Sequence, residues 1–193
     1  SNYKMLQTLI QLGASLECKN TRGETPLFFA ARKLDIHALE VLLFYRADID
    51  ALYKDKESAF SYAVRNKNTD VVVFLCSKNA NTNLPDKNGD VPLFHCLKND
   101  DEKDMINYLL FKRVNVDYQD RDGNTALHIA VKQRWSDIFE ELIRAGVSMH
   151  QPNIGGQTPL ELAQTMNDDI SSDLLNAFLL EEEPLFVEEE PLF

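Results

Sequence analysis

DRDGNTALHIAVKQRWSDIFEELIRAGV, residues 120–147, holds two short apolar runs bounded by turn residues, each too brief to fold alone. Its opening Asp-x-x-Gly is turn chemistry, with glycine free to take a positive φ. Working outward from Gly123, equivalent anchors fall at Gly23, Lys56, Gly89 and Gly156, at successive spacings of 33, 33, 34 and 33 residues. Behind the anchors lie TPLFFAA (25–31), SAFSYAV (58–64), VPLFHCL (91–97), TALHIAV (125–131) and TPLELAQ (158–164). At the far end of each unit come GAS (13–15), RAD (46–48), NAN (79–81), RVN (113–115) and AGV (145–147).

Thr25 and Thr158, each followed by proline, read as helix N-caps with proline in the first turn, where its missing N–H costs nothing. Ala30, Ala63, Cys96, Ala130 and Ala163 share one position, where a small side chain lets neighbouring helices approach. A second apolar helix follows, as in Val41-Leu42-Leu43 or Val71-Val72-Phe74-Leu75. Two short helices and a turn cannot bury their own apolar face, so stacking must supply the partner.

Over nearly all of residues 4–180 this pattern resembles the ankyrin repeat family, and residues 120–147 match it best. The resemblance implies an all-α solenoid of stacked ankyrin repeats, helix-turn-helix units with β-turn or hairpin loops. The expected division is a partial N-terminal repeat (1–19), repeats at 20–52, 53–85, 86–119 and 120–152, a capping repeat (153–180) and an acidic tail (181–193). Lys4–Leu12 reads as the second helix of the partial repeat and Asp169–Leu180 as the closing helix, with Pro184 opposing its continuation. The unit at 53–85 departs most, with Lys56 at the glycine position and Ala59 at the proline position.

The chain has 193 residues, 44% of them hydrophobic, and a formal charge of −11, six of whose negatives lie in two Glu triplets, leaving −5 for residues 1–180. That balance argues against nucleic acid or an anionic membrane surface as main ligand. No apolar run approaches the roughly 20 residues that span a bilayer, so no membrane insertion is expected. Cys18, Cys76 and Cys96 have no paired spacing and read as reduced thiols, implying a cytoplasmic, intracellular setting. The start at Ser1, without Met, reads as an excerpt of a larger protein.

Chemistry is sparse. His95 and Cys96 are adjacent, but helix neighbours diverge by about 100°, and Cys96 holds the small core position. The resemblance gives His128 an inter-repeat hydrogen-bonding role and puts Asn83 where the family often carries an asparagine open to hydroxylation. Asp100-Asp101 and Asp168-Asp169 read as solvated surface, and Trp135 either packs on a neighbouring loop or anchors a partner. No His-Glu-x-x-His, Cys-x-x-Cys or phosphate loop occurs. The expectation is no enzyme, no cofactor and no metal.

The resemblance places partners on the concave side built from turn tips and first helices. Two residues beyond the small position lie Arg32, Arg65, Lys98 and Lys132, with Thr165 breaking the series; the turn tips carry Thr21, Lys54, Lys87 and Arg121. Beside them runs Phe29, Tyr62, His95 and Ile129. Arg32, Arg65, Lys98 and Lys132, supported by Phe29, Tyr62, Lys54, Lys87 and Arg121, form the expected contact surface of an adaptor or scaffold. Its expected ligand is a protein or an extended acidic peptide with apolar anchors. The competing reading makes these cations ordinary solubilising charge.

The tail has the complementary chemistry: Glu181, Glu182, Glu183, Pro184, Leu185 and Phe186, then Glu188, Glu189, Glu190, Pro191, Leu192 and Phe193. Fully extended it reaches at most about 45 Å, enough to lie back over several repeats of its own chain or a neighbour's. Its alternatives are a solubilising segment and a linear motif read by another protein. For the basic groove, the alternative ligand is a phosphorylated lipid or another anion.

Overall fold

The structure, a computed structural model, describes residues 2–99 and 103–182. The helices are α1 (Asn2–Gln11), α2 (Pro26–Arg32), α3 (Ile36–Phe44), α4 (Ala59–Arg65), α5 (Thr69–Ser77), α6 (Pro92–Leu97), α7 (Lys103–Phe111), α8 (Ala126–Lys132), α9 (Phe139–Arg144), α10 (Pro159–Thr165) and α11 (Asp169–Glu182). Helices α2/α3, α4/α5, α6/α7, α8/α9 and α10/α11 pair as hairpins, and α2, α4, α6, α8 and α10 stack in one row. In the other row α1 packs on α3, α3 on α5, and α7 on α9. Among the described residues there is no strand, only an isolated antiparallel bridge between Leu52 and Ser58. The fold is an all-α solenoid.

Each first helix starts at a residue with extended backbone. Thr25, Ser58 and Thr158 accept hydrogen bonds from the N–H groups of Phe28, Ser61 and Glu161, each satisfying one of the free N–H groups at a helix start. Val91 has no such oxygen, and α6 is one residue shorter than its counterparts at six. Apolar faces then meet between units: Phe28, Phe60, Phe94 and Phe139 are fully buried, each gaining about 1.5–3 kcal/mol from leaving water. Ala30, Ala63, Cys96, Ala130 and Ala163 are all buried where the helix rows touch.

The turns are closed by a repeated bond from the N–H of Asn20, Tyr53, Asp86, Asp120 and Asn153 to the carbonyl four residues on. Asn20, Asp86 and Asp120 also accept the N–H groups two and four residues later, and Asn153 accepts that of Gln157. Tyr53 cannot. Its ring lies instead 4.4 Å from that of Phe28, and its turn tightens into a 3-10 turn at Lys54–Lys56 with φ 62° at Asp55 and 60° at Lys56. Lys56 thus adopts the left-handed region where the other units use glycine. At Gly123 (φ 75°) no side chain fits, because a Cβ would sit 2.6 Å from the backbone nitrogen of Ile154.

Further along each unit, Glu17, Asp50, Asn83 and Asp117 accept the backbone N–H groups of Asp48, Asn81, Asn115 and Ser148, at 2.7–2.9 Å. These bonds form a ladder from unit to unit, and Asn83 is one of its rungs.

At the ends, α1 leaves Leu9 half exposed while Leu6 and Ile10 pack on the core. The expectation that Asp168 is solvated surface is corrected: it is buried at the start of α11, accepting from the N–H and hydroxyl of Ser171. Trp135 is half-buried and packs against the core. Asp100-Asp101, and the tail from Glu183 onward, lie outside the described residues. No helix among the described residues is long and apolar enough to cross a membrane.

Candidate functional site

The first helices carry Arg32, Arg65, Lys98 and Lys132 in register, because each ends its helix or follows it at the same point of the unit. Eight residues earlier, at the turn, stand Glu24, Glu57, Asp90 and Asn124. The turn folds this residue back along the helix, so the two positions meet. Arg32 pairs with Glu24 at 2.7 Å, Arg65 with Glu57 at 2.7 Å, and Lys98 with Asp90 at 2.6 Å. In the fifth unit a neutral version persists, Gln157 donating to Thr165 at 3.0 Å.

These pairs correct the electrostatic part of the sequence expectation. Three of the four column cations are matched by carboxylates of their own unit, so the column is not a stripe of net positive charge. Glu24, Glu57 and Asp90 are buried while their cations are partly exposed. Burial pushes the Glu57 carboxyl up, against the hydrogen bond and charge of Arg65. For Lys132 the residue eight positions earlier is the uncharged Asn124, and Lys132 is exposed, with no ion pair among the described residues.

At the turn tips Lys54 is exposed, Lys87 pairs with Asp55 at 2.9 Å, and Arg121 donates to the Lys87 carbonyl. Lys87 and Arg121 therefore tie one turn to the next. The aromatic row is graded: Phe29 is 43% exposed, Tyr62 is half-buried, and Ile129 is buried. The guanidinium of Arg32 lies 5.1 Å above the Phe29 ring and that of Arg65 lies 5.7 Å above Tyr62. Two units thus repeat one composite surface: a ring, a cation over it, and a buried carboxylate beneath the cation.

His95 holds the row's third position. Its side chain is 11% exposed, and its Nε2 is buried without a hydrogen-bond partner, 3.6 Å from Asp86 Oδ2. Asp86, Asp90 and His95 each bring one donor atom within 4.8 Å of the other two. Sequence reading expected no metal-ligating set, since it sought contiguous motifs; the spacing of four and five residues becomes a cluster only once the turn folds back on α6. Burial lowers the His95 imidazole pKa, with Asp86 and Asp90 partly opposing.

His128 does bridge units. The Thr125 N–H points at Nδ1 (3.2 Å), so Nδ1 accepts, and Nε2 must carry the proton that it donates to the Gln157 carbonyl at 2.9 Å.

The class these features define is a protein of stacked helical repeats, and the chain belongs to the ankyrin-repeat family, whose three-copy pattern matches residues 1–86, 30–120 and 93–182. Such repeats are typically non-catalytic and generally mediate protein–protein interaction. Among curated proteins, the chain is similar to a putative palmitoyltransferase of Danio rerio, 28% identical over 167 residues, covering 86% of this chain and 25% of that protein. It is similar to the B-cell lymphoma 3 protein homolog of Mus musculus, at 26% over 166 residues, covering 83% of this chain and 37% of the relative. An L-asparaginase of Dirofilaria immitis matches at 27%, covering 86% of this chain and 28% of the enzyme. The chain spans about a quarter to somewhat over a third of the length of these relatives.

Proposed function

We propose that this chain is a non-catalytic protein-binding module, acting as an adaptor or scaffold in the cytoplasm, that receives an extended acidic segment with apolar anchors along its first-helix face. The observation supporting this reading is the repeated ring-and-guanidinium surface at Phe29/Arg32 and Tyr62/Arg65. Each guanidinium has five donors, of which the buried carboxylate takes only part, leaving N–H groups over an aromatic ring. Such a surface accepts a carboxylate and an apolar side chain together. Lys54 and Lys132, exposed and away from a paired carboxylate, supply steering charge.

A phosphorylated lipid fits less well, because a phosphate needs cations converging on one point and here Arg32, Arg65 and Lys98 are each held against an acid of their own unit. The tail EEEPLFVEEEPLF has the right chemistry to be a ligand in cis or in trans. Arg65→Glu would be a poor test, since it would set two carboxylates together around buried Glu57. The test is fluorescence anisotropy with a labelled peptide of residues 181–193. The expected result is binding that weakens with salt, weakens in K54E/K132E and tightens when residues 183–193 are deleted. No binding to the deleted form, or equal binding by K54E/K132E, overturns the reading.

A further inference from the structure

We propose that Asp86, Asp90 and His95 form a binding site for one divalent transition-metal ion of the zinc class, built from the turn and first helix of a single unit. The donors are one imidazole and two carboxylates, a set that suits zinc and leaves a fourth position for water. Their placement is enforced locally. Asp86 spends Oδ1 on the N–H groups of Asn88 (2.7 Å) and Asp90 (3.0 Å), which turns Oδ2 toward α6. There it meets the buried, unpartnered Nε2 of His95 at 3.6 Å.

That separation is too long for a hydrogen bond. It is close to the edge of a tetrahedron with metal–ligand bonds of about 2.0–2.2 Å, roughly 3.3–3.6 Å. A buried imidazole nitrogen without a partner is costly, and a metal ion would satisfy it together with both carboxylates.

The other units serve as internal controls. The equivalent triplets are Asn20/Glu24/Phe29, Tyr53/Glu57/Tyr62, Asp120/Asn124/Ile129 and Asn153/Gln157/Leu162, and none combines two carboxylates with an imidazole. The proposal therefore concerns a specialisation of one unit. Its competitor is Lys98, whose ammonium holds both Asp90 oxygens at 2.6 and 2.7 Å and must swing aside for Asp90 to ligate.

The test is titration of the full chain with Zn²⁺ by isothermal calorimetry in a reducing, non-chelating buffer, with the histidine ring ¹⁵N signals followed by NMR. One Zn²⁺ per chain is expected, with the His95 ring signals moving. His95→Phe keeps the ring found at Phe29, and Asp86→Asn keeps the turn acceptor; each should weaken binding by at least roughly tenfold. Lys98→Met, which removes the competing ammonium, should tighten it. Stationary His95 signals under saturating Zn²⁺, or unchanged affinity in both His95→Phe and Asp86→Asn, would overturn the site.

Discussion

His128 shows how one side chain can serve both helix start and stack. It takes the position that Phe28 and Phe94 fill elsewhere, so its ring is buried, yet both nitrogens are used, one for the Thr125 N–H and one for the Gln157 carbonyl. Protonating Nδ1 would break the first bond and place a charge in the core. Burial accordingly holds His128 below the ordinary imidazole range, with the Gln157 bond partly offsetting it. The unfolded chain then takes up a proton near pH 6.5 that the folded chain resists. Stability is full above about pH 6.5 and declines as pH falls toward the depressed folded value, by up to about 1.4 kcal/mol per pH unit. His95, lowered for the same reason, adds in the same direction. Glu57 has the opposite sign: its raised pKa adds stability at low pH that is lost as pH rises through the folded value. Urea unfolding between about pH 7.5 and 5 should show the decline in the natural chain and a flatter profile in His128→Phe. An unchanged slope would remove His128 from the account. Its bridging role followed from the family pattern, whereas the burial of Asp168 did not, because a paired acidic sequence looks the same in water or under a helix.

Among helices, the five starting residues form a natural series. Thr25, Ser58 and Thr158 cap, while Val91 leaves the Phe94 N–H to bond the Val91 carbonyl at 2.9 Å. Thr25 and Thr125 are buried as deeply as Val91, so the site tolerates a hydroxyl. Val91→Thr should therefore stabilise the chain by about 0.5–1 kcal/mol, toward the low end of capping energies because a buried methyl is exchanged for a hydroxyl. The midpoint in chemical denaturation checks this, and a lowered midpoint would show that α6 does not need the cap. Helix starts and ends were legible in the sequence because Thr-Pro, glycine and apolar spacing act over a few residues. The turn of the second unit was not, since Tyr53 gives up a local turn acceptor for a ring contact with Phe28 from the preceding unit.

At the scale of the molecule, the main packing contacts among the described residues lie within a unit or between adjacent units. The ladder of Glu17, Asp50, Asn83 and Asp117 is the polar counterpart of the apolar stack, each rung joining one unit to the next. Asp50→Ala and Asp117→Ala remove rungs with no shared partner. Each should cost about 0.5–1.5 kcal/mol, and the double variant should equal their sum within about 0.5 kcal/mol. A larger discrepancy in equilibrium unfolding would mean that coupling extends beyond adjacent units. The sequence by itself determined the repeat, its period, the helix polarity and the need to stack, because each depends on local chemistry recurring at one interval. It also brought the four column cations into register. Only the tertiary structure decided what those cations face. A turn that folds back by eight residues sets Glu24, Glu57 and Asp90 against Arg32, Arg65 and Lys98, and brings His95 to Asp86 and Asp90. Charge on a surface is fixed by which groups meet across space, and that pairing is made by the folded turn.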